Sequence, residues 1–227
     1  MIIIFDFNCI LKEWNNNETD VAVQDLVCYL NEHKNDMYGY LLLSVFLVEL
    51  NDFVQAEELI IKSLNKFDDN LSFIYMLGIL YYCMGKYDDS LLIFLKIKDN
   101  QNVKEDSYFM IAELYFKLGD NKKALAYALT CLDIDNSKSD SNILVADIMI
   151  QLQMFNEARE YLSKAINMDN QSSSLYFKYG LLSMITDHEY ISYFKKSKSL
   201  DSKYFIEHKQ QVKDIIKFLN ATKGTND

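Results

Sequence analysis

Asn17, Asn51, Gly85, Gly119 and Gln153 stand at a constant interval of 34 residues, each at the break between two runs of periodically placed apolar residues. A fixed period of this size constrains the fold more than any other feature of the chain. One unit of about 34 residues cannot bury its apolar face alone, so it must stack on copies of itself. The unit beginning at Leu71 shows the plan. Ile74, Leu77, Gly78 and Tyr81 fall at three- and four-residue spacing and predict one helical stripe. Gly85 then ends that helix, as a residue tolerant of left-handed backbone does. Ser90, Phe94 and Ile97 predict the stripe of a second helix. Gly78 lies inside the first helix, where it costs about 1 kcal/mol of propensity relative to Ala. Its use there predicts a close approach of the neighbouring helix.

The same plan recurs. Tyr40, Leu43, Ser44 and Leu47 precede Ala56, Ile60 and Ser63. Tyr108, Ile111, Ala112 and Tyr115 precede Ala124, Ala128 and Cys131. Val145, Ala146 and Met149 precede Ala158, Leu162 and Ala165. Small, aromatic and aliphatic residues keep their places through residues 37–172 without a gap. This pattern resembles the tetratricopeptide repeat family. The resemblance implies an all-α, right-handed solenoid of about six helix-turn-helix repeats plus a C-terminal capping helix. Residues 1–220 then form a single solenoid domain, with weaker flanking repeats at 3–36 and 173–206. The unit at 173–206 fits best if two residues are missing before its second half, "HEYISYFKKSKSLD". Residues of about 206–220 form the cap, with Val212, Ile215, Ile216 and Leu219 on one stripe, and 221–227 a disordered tail. The Pro that the family places between units is absent, and Asp68, Asn136 and Asn170 stand near those junctions as candidate helix caps.

The chain of 227 residues has a formal net charge of −10. That excess argues against a nucleic-acid binder, which needs a basic face to displace phosphate counterions. The charge is uneven. Tyr193 to Lys223 holds eight Lys against three acids, so this end is basic while the remainder is strongly acidic. Cys9, Cys28, Cys83 and Cys131 are too far apart for a zinc knuckle or a redox pair, and each sits in an apolar context that suits a reduced thiol. The first residues lack the basic flank of a signal peptide, and no apolar run reaches the roughly 18 residues of a membrane span. The expectation is a cytoplasmic protein with no membrane insertion.

Catalytic constellations are not found in the sequence: no Gly-rich phosphate loop, nucleophile elbow or zinc-protease motif occurs. His33, His188 and His208 are single and distant. Asp133 and Asp135 sit at an inter-repeat turn, where acids serve as caps. The expected function is therefore binding, with no enzyme activity, no cofactor and no metal.

The family resemblance implies that the first helix of each hairpin lines the inner, concave surface. The stripe facing that surface holds Leu41, Val45, Val48 and Glu49, then Tyr75, Ile79 and Tyr82. It continues through Phe109, Glu113 and Phe116, then Ile143, Asp147 and Ile150, then Phe177, Leu181 and Met184. Tyr75, Tyr82, Phe109 and Phe116 are expected to converge, with Glu49, Asp106, Glu113, Asp140 and Asp147 as an acidic rim. The family's carboxylate clamp, which grips acidic chaperone tails with Lys, Arg and Asn, is not implied, because Leu41, Val45, Tyr75 and Ile79 occupy its positions. The groove instead is similar in surface type to those of tetratricopeptide secretion chaperones. The expected partner is another protein, presenting an apolar or amphipathic and basic segment to a scaffold or chaperone. The alternative is a structural assembly subunit that self-associates. Ile3 and Phe5, in an apolar N-terminal edge with no repeat before it, mark a surface for a homodimer contact.

Overall fold

A computed structural model of the chain describes residues 7–67, 71–186 and 188–223, with side chains up to residue 217. Ile3, Phe5, Asp68 and the side chain of Leu219 lie outside the described residues. Among those described, every regular element is a helix, and the fold is an all-α solenoid of helical repeats. Contacts divide the chain into two compact units, 1–101 and 102–227. The first holds the hairpins α1 (Asn8–Asn15) and α2 (Thr19–Glu32), α3 (Met37–Glu49) and α4 (Phe53–Lys66), and α5 (Leu71–Cys83) and α6 (Tyr87–Ile97). The second holds α7 (Lys104–Lys117) and α8 (Asn121–Ile134), α9 (Ser139–Gln151) and α10 (Phe155–Met168), α11 (Ser173–Ile185) and α12 (Ile191–Leu200), then α13 (Ser202–Lys223). Residues 221–223, expected in a tail, thus continue α13.

The five interval residues all have positive φ: 64° at Asn17, 60° at Asn51, 74° at Gly85, 83° at Gly119 and 61° at Gln153. Each closes the helix before it with the same pair of hydrogen bonds. Asn51 N–H reaches the Val48 carbonyl at 3.0 Å, and Asp52 N–H reaches that of Leu47 at 2.9 Å. The pairs at Gly85 and Lys86, Gly119 and Asp120, and Gln153 and Met154 match it. This is the Schellman arrangement, which satisfies orphan carbonyls at a helix end. The period is therefore a backbone property that Gly meets without strain and Asn and Gln meet at a cost. The next residue in the series, Asp187, is outside the described residues, yet His188 N–H still reaches the Ser183 carbonyl at 2.8 Å.

Close helix approach at Gly78 takes a specific form. A Cβ there would lie 2.8 Å from the Phe94 ring, and one at Gly180 would lie 2.7 Å from the Phe194 ring. Sixteen residues separate the first pair and fourteen the second, so the two-residue shortening in the last hairpin falls before Phe194. Phe194 and Ser197 are accordingly the buried residues of α12.

The cores of the hairpins also contain a column that the sequence reading does not single out. Phe46, Leu80, Leu114, Ile148 and Leu182 recur at the same interval of 34 and are all at most 3% exposed. In the α5 helix it is Phe73 and Leu80, rather than Ile74 and Leu77, that are fully buried. α3 and α5 are apolar on nearly every side because burial reaches several of their sides.

Junction caps differ from expectation. Asn136 and Asn170 do not cap helices. Asp135 and Asp169 instead accept hydrogen bonds from the N–H groups of Ser137 and Gln171 at 2.8 and 3.0 Å. Ser172 caps α11 by accepting from Leu175 N–H. A short carboxylate that turns the chain over two residues needs no Pro.

Candidate functional site

In the first unit, Leu41 and Val45 of α3 and Tyr75, Ile79 and Tyr82 of α5 are half-buried, Val48 is buried and Glu49 is exposed. α3 touches α5 as well as its own partner α4. The Tyr75 ring meets Phe94 edge-on at 5.3 Å, and Tyr82 lies 5.8 Å from Tyr87. Glu49 Oε2 accepts a hydrogen bond from Trp14 Nε1 at 3.0 Å, and the Trp14 ring stacks flat on Phe46 at 3.8 Å. The carboxylate expected to rim a groove therefore anchors α1 onto α3.

In the second unit, α7 touches α9. Phe109 and Phe116 of α7 and Ile143 and Ile150 of α9 are half-buried, with inner edges on the core built from Ala112, Val145, Ala146 and Leu162. Glu113 and Asp147 sit between them on the same stripes, also half-buried. Lys178 of α11 reaches Asp147 at 2.6 Å, and Lys138 pairs with Glu105 and, at 3.0 Å, with Asp106. These partners hold the Lys138 ammonium well above its ordinary range, Glu105 first and Asp106 next. The acidic rim is thus in part neutralised by two lysines lying more than thirty residues away in sequence from their carboxylates.

Phe177 and Leu181 behave differently from the rest. Phe177 is 2% exposed, with the rings of Phe194, Tyr204, Phe205 and His208 within 6 Å. Leu181 packs into the same cluster with Val212 and Ile215. The stripe therefore ends under α13, and Phe177 seats the capping helix. What remains accessible in this unit is a surface of two aromatic and two aliphatic residues around Glu113 and Asp147. Such a surface offers apolar area and negative charge and contains no nucleophile–base pair. Among the described residues no group of three or more His, Cys, Asp or Glu is placed to hold a metal, and no helix is long and apolar enough to cross a membrane. A separate cleft of about 370 Å³ lies on the second-helix side of this unit, lined by Leu129, Asp133, Asn142, Tyr161, Lys164 and Met168 among others.

Comparisons with known proteins agree with this architecture. The family model described as tetratricopeptide repeat matches residues 105–138 and 139–172, the first two hairpins of the 102–227 unit up to the start of α11. No curated protein sequence matches the chain significantly. Among solved structures, the chain is similar to pilF of Pseudomonas aeruginosa, at 15% identity and a TM-score of 0.72 over 90% of this chain and 95% of that one. It is similar to TTC0263, a thermophilic TPR protein of Thermus thermophilus, at 15% identity and a TM-score of 0.66 over 78% and 96%. It is also similar to YrrB, described as a TPR protein with an unusual peptide-binding site, at 16% identity and a TM-score of 0.58 over 82% and 97%.

Proposed function

The chain belongs to the tetratricopeptide repeat family, and from that premise we propose that it is a protein–protein interaction module holding an apolar or amphipathic segment of another protein on its first-helix surfaces. Tetratricopeptide repeat proteins bind other proteins, and a scaffold or chaperone role is the form of binding proposed for this chain. The observation that carries the finer reading is the partial exposure of Phe109, Phe116, Ile143 and Ile150 around Glu113 and Asp147, on helices whose inner edges are committed to the core. Aromatic residues that keep one edge open anchor interfaces because they bury large area at low entropic cost. The carboxylates favour a segment carrying Lys or Arg. In the first unit, Leu41, Val45, Tyr75, Ile79 and Tyr82 offer a second and more aliphatic stretch of the same kind. The peptide-binding site named for YrrB is in keeping with this reading.

A displayed peptide library panned on the whole chain tests it. Apolar peptides with Lys or Arg should be enriched, and their capture should be lost in Phe109→Ala/Phe116→Ala, each anchor costing about 2 kcal/mol or more. The melting curve of the variant decides between readings. Lost capture with an intact melt supports a binding surface. Lost folding, with no peptide enriched by the parent chain, makes these rings core and nothing more.

A further inference from the structure

The α13 helix has a face that α11 and α12 do not use. Tyr204, Phe205, His208, Val212 and Ile215 turn towards the hairpin. On the adjoining flank, Ile206, Lys209, Lys213, Ile216 and Lys217 fall within about a third of a turn of one another at 3.6 residues per turn, and all five are exposed, so Ile216 leaves the packed stripe expected for it with Val212 and Ile215. Ile206 is 51% and Ile216 41% exposed. Among the described residues none of the three lysines is in an ion pair. Two open isoleucines between three unpaired cations are an unusual ending for a stack of repeats, whose terminal face is normally polar.

A complementary face exists on α2. Val21, Asp25, Cys28 and Glu32 share one side of that helix, and all are exposed. Neither Asp25 nor Glu32 is ion-paired among the described residues. The two carboxylates, with Cys28, Tyr29 and His33, line an open cleft of about 270 Å³, wide enough for a lysine side chain. Asp25 and Glu32 are separated by roughly 10 Å along the helix, and Lys209 and Lys217 by roughly 12 Å. The wider charge distribution has the same sense. Residues 1–101 carry seven Lys and sixteen acids, net −9, whereas 193–223 is net +5.

We propose that the chain associates head to tail, the free face of α13 in one copy docking on the α2 face of a second copy. Lysines meet Asp25 and Glu32, and Ile206 and Ile216 cover Val21 and Cys28. A second copy fits better than an anionic membrane, because the acidic bulk of the chain would be repelled from such a surface while the same acids attract α13. Because the two patches differ, the contact is heterologous and propagates into rings or open chains. It uses neither Phe109 nor Phe116, so it stands or falls independently of the peptide-binding surface.

Sedimentation velocity on the full chain tests the proposal. At low salt the mean mass should rise with concentration, and at high salt it should fall to that of one chain. Lys209→Glu/Lys213→Glu/Lys217→Glu should weaken association roughly tenfold or more, as should Asp25→Lys/Glu32→Lys. Mixing the two reversed chains should restore a complex, since each supplies the face the other can still bind. Should a reversal disturb the helical circular dichroism signal, the milder Lys→Gln set and Asp25→Asn/Glu32→Gln must weaken association in the same direction. A chain that stays single at every concentration overturns the proposal. So does association that ignores both reversals, or a mixture that stays apart. Binding to phosphatidylserine vesicles that needs the three lysines, in a chain that never changes mass, replaces the second copy by a lipid surface.

Discussion

The seam between the helices of a hairpin is built in one way in α5 and α6 and in another way in α9 and α10, while α11 and α12 of the second unit return to the first way with Gly180 and Phe194. In α5 and α6 a glycine, Gly78, receives the large ring of Phe94. In α9 and α10 the matching residues are Ala146 and Leu162, both wholly buried, and in α7 and α8 they are Ala112 and Ala128. In the α5–α6 and α9–α10 seams a smaller residue on one helix meets a larger one on the other, whereas the α7–α8 seam is small on both sides. Buried serines vary the same places: Ser44 stands where α9 has Ala146, and Ser90 stands where α10 has Ala158 and the other first-unit hairpins have Ala22 and Ala56. Ser90 is accommodated because its hydroxyl donates to the Gly78 carbonyl at 2.7 Å. The comparison teaches that one backbone repeat accepts more than one seam, and the two stretches that the family model matches, 105–138 and 139–172, are those with Ala at the Gly78 place. The backbone repeat extends through both units, while alanine at that place is confined to α7 and α9.

The largest effect that can break this comparison is at Phe94. Phe94→Ala leaves a cavity beside Gly78, at an expected cost of about 3–5 kcal/mol. Gly78→Leu does the opposite and overpacks the seam, by roughly 1–3 kcal/mol. The double exchange Gly78→Ala/Phe94→Leu converts this seam into that of Ala146 and Leu162, and should cost less than Gly78→Leu alone. Urea unfolding of the three variants measures the order. A double variant as damaged as Gly78→Leu would show that volume is not what the two seams exchange.

These contacts also mark the limit of what the sequence makes legible. The interval residues are readable because left-handed backbone selects Gly and Asn so strongly, and Gly78 is readable because a glycine inside a helix requires a reason. The column of Phe46, Leu80, Leu114, Ile148 and Leu182 is not. A helix that is apolar on every side offers no polar face against which to rank the others. Burial of Phe177 depends on α13, whose docking is a tertiary event. Trp14, Lys138 and Lys178 change the electrostatics of the expected stripe from a distance of more than thirty residues, beyond any local pattern. Asn136 and Asn170 illustrate the residual ambiguity of caps: the right residue types cluster at the junction, and their neighbours Asp135, Asp169 and Ser172 form the bonds.

A smaller effect separates the turns. Gly85 has positive φ and open space around its Cβ position, so Gly85→Ala tests backbone strain with no clash. The expected cost is about 1 kcal/mol. Gln153 already bears that strain in the second unit at φ 61°. Gln153→Gly should therefore stabilise by a few tenths to about 1 kcal/mol, the relief of strain being offset in part by the freer unfolded chain. Thermal melts that move in opposite directions confirm that the two units share one turn. A destabilised Gln153→Gly would mean that its side chain contributes more than its backbone costs.

The smallest effect is on the alkaline side, and it distinguishes Tyr29 from Cys131, which hold the same place in their repeats. Tyr29 donates to Asp36 Oδ2 at 2.7 Å, and that bond, then burial, pushes its pKa from 10.0 up to about 12. Cys131 is pushed from 9.0 up to about 11, first by burial and further by Glu105 beside it. Both groups are acids favoured in their neutral form by folding, so each contributes stability that is complete below its unfolded pKa and lost as pH rises through the folded one. The second unit should therefore weaken between about pH 9 and 11, and the first between about pH 10 and 12. Solvent reaches the Tyr29 ring, so screening keeps its contribution small. Tyr29→Phe cannot ionise and should flatten the later of the two losses. Cys131→Ala should flatten the earlier one. Melting temperatures recorded against pH for the parent and both variants decide the matter. Parallel curves for all three chains would show that neither group titrates differently on unfolding, and that the two units lose stability in alkali through their surface charge alone.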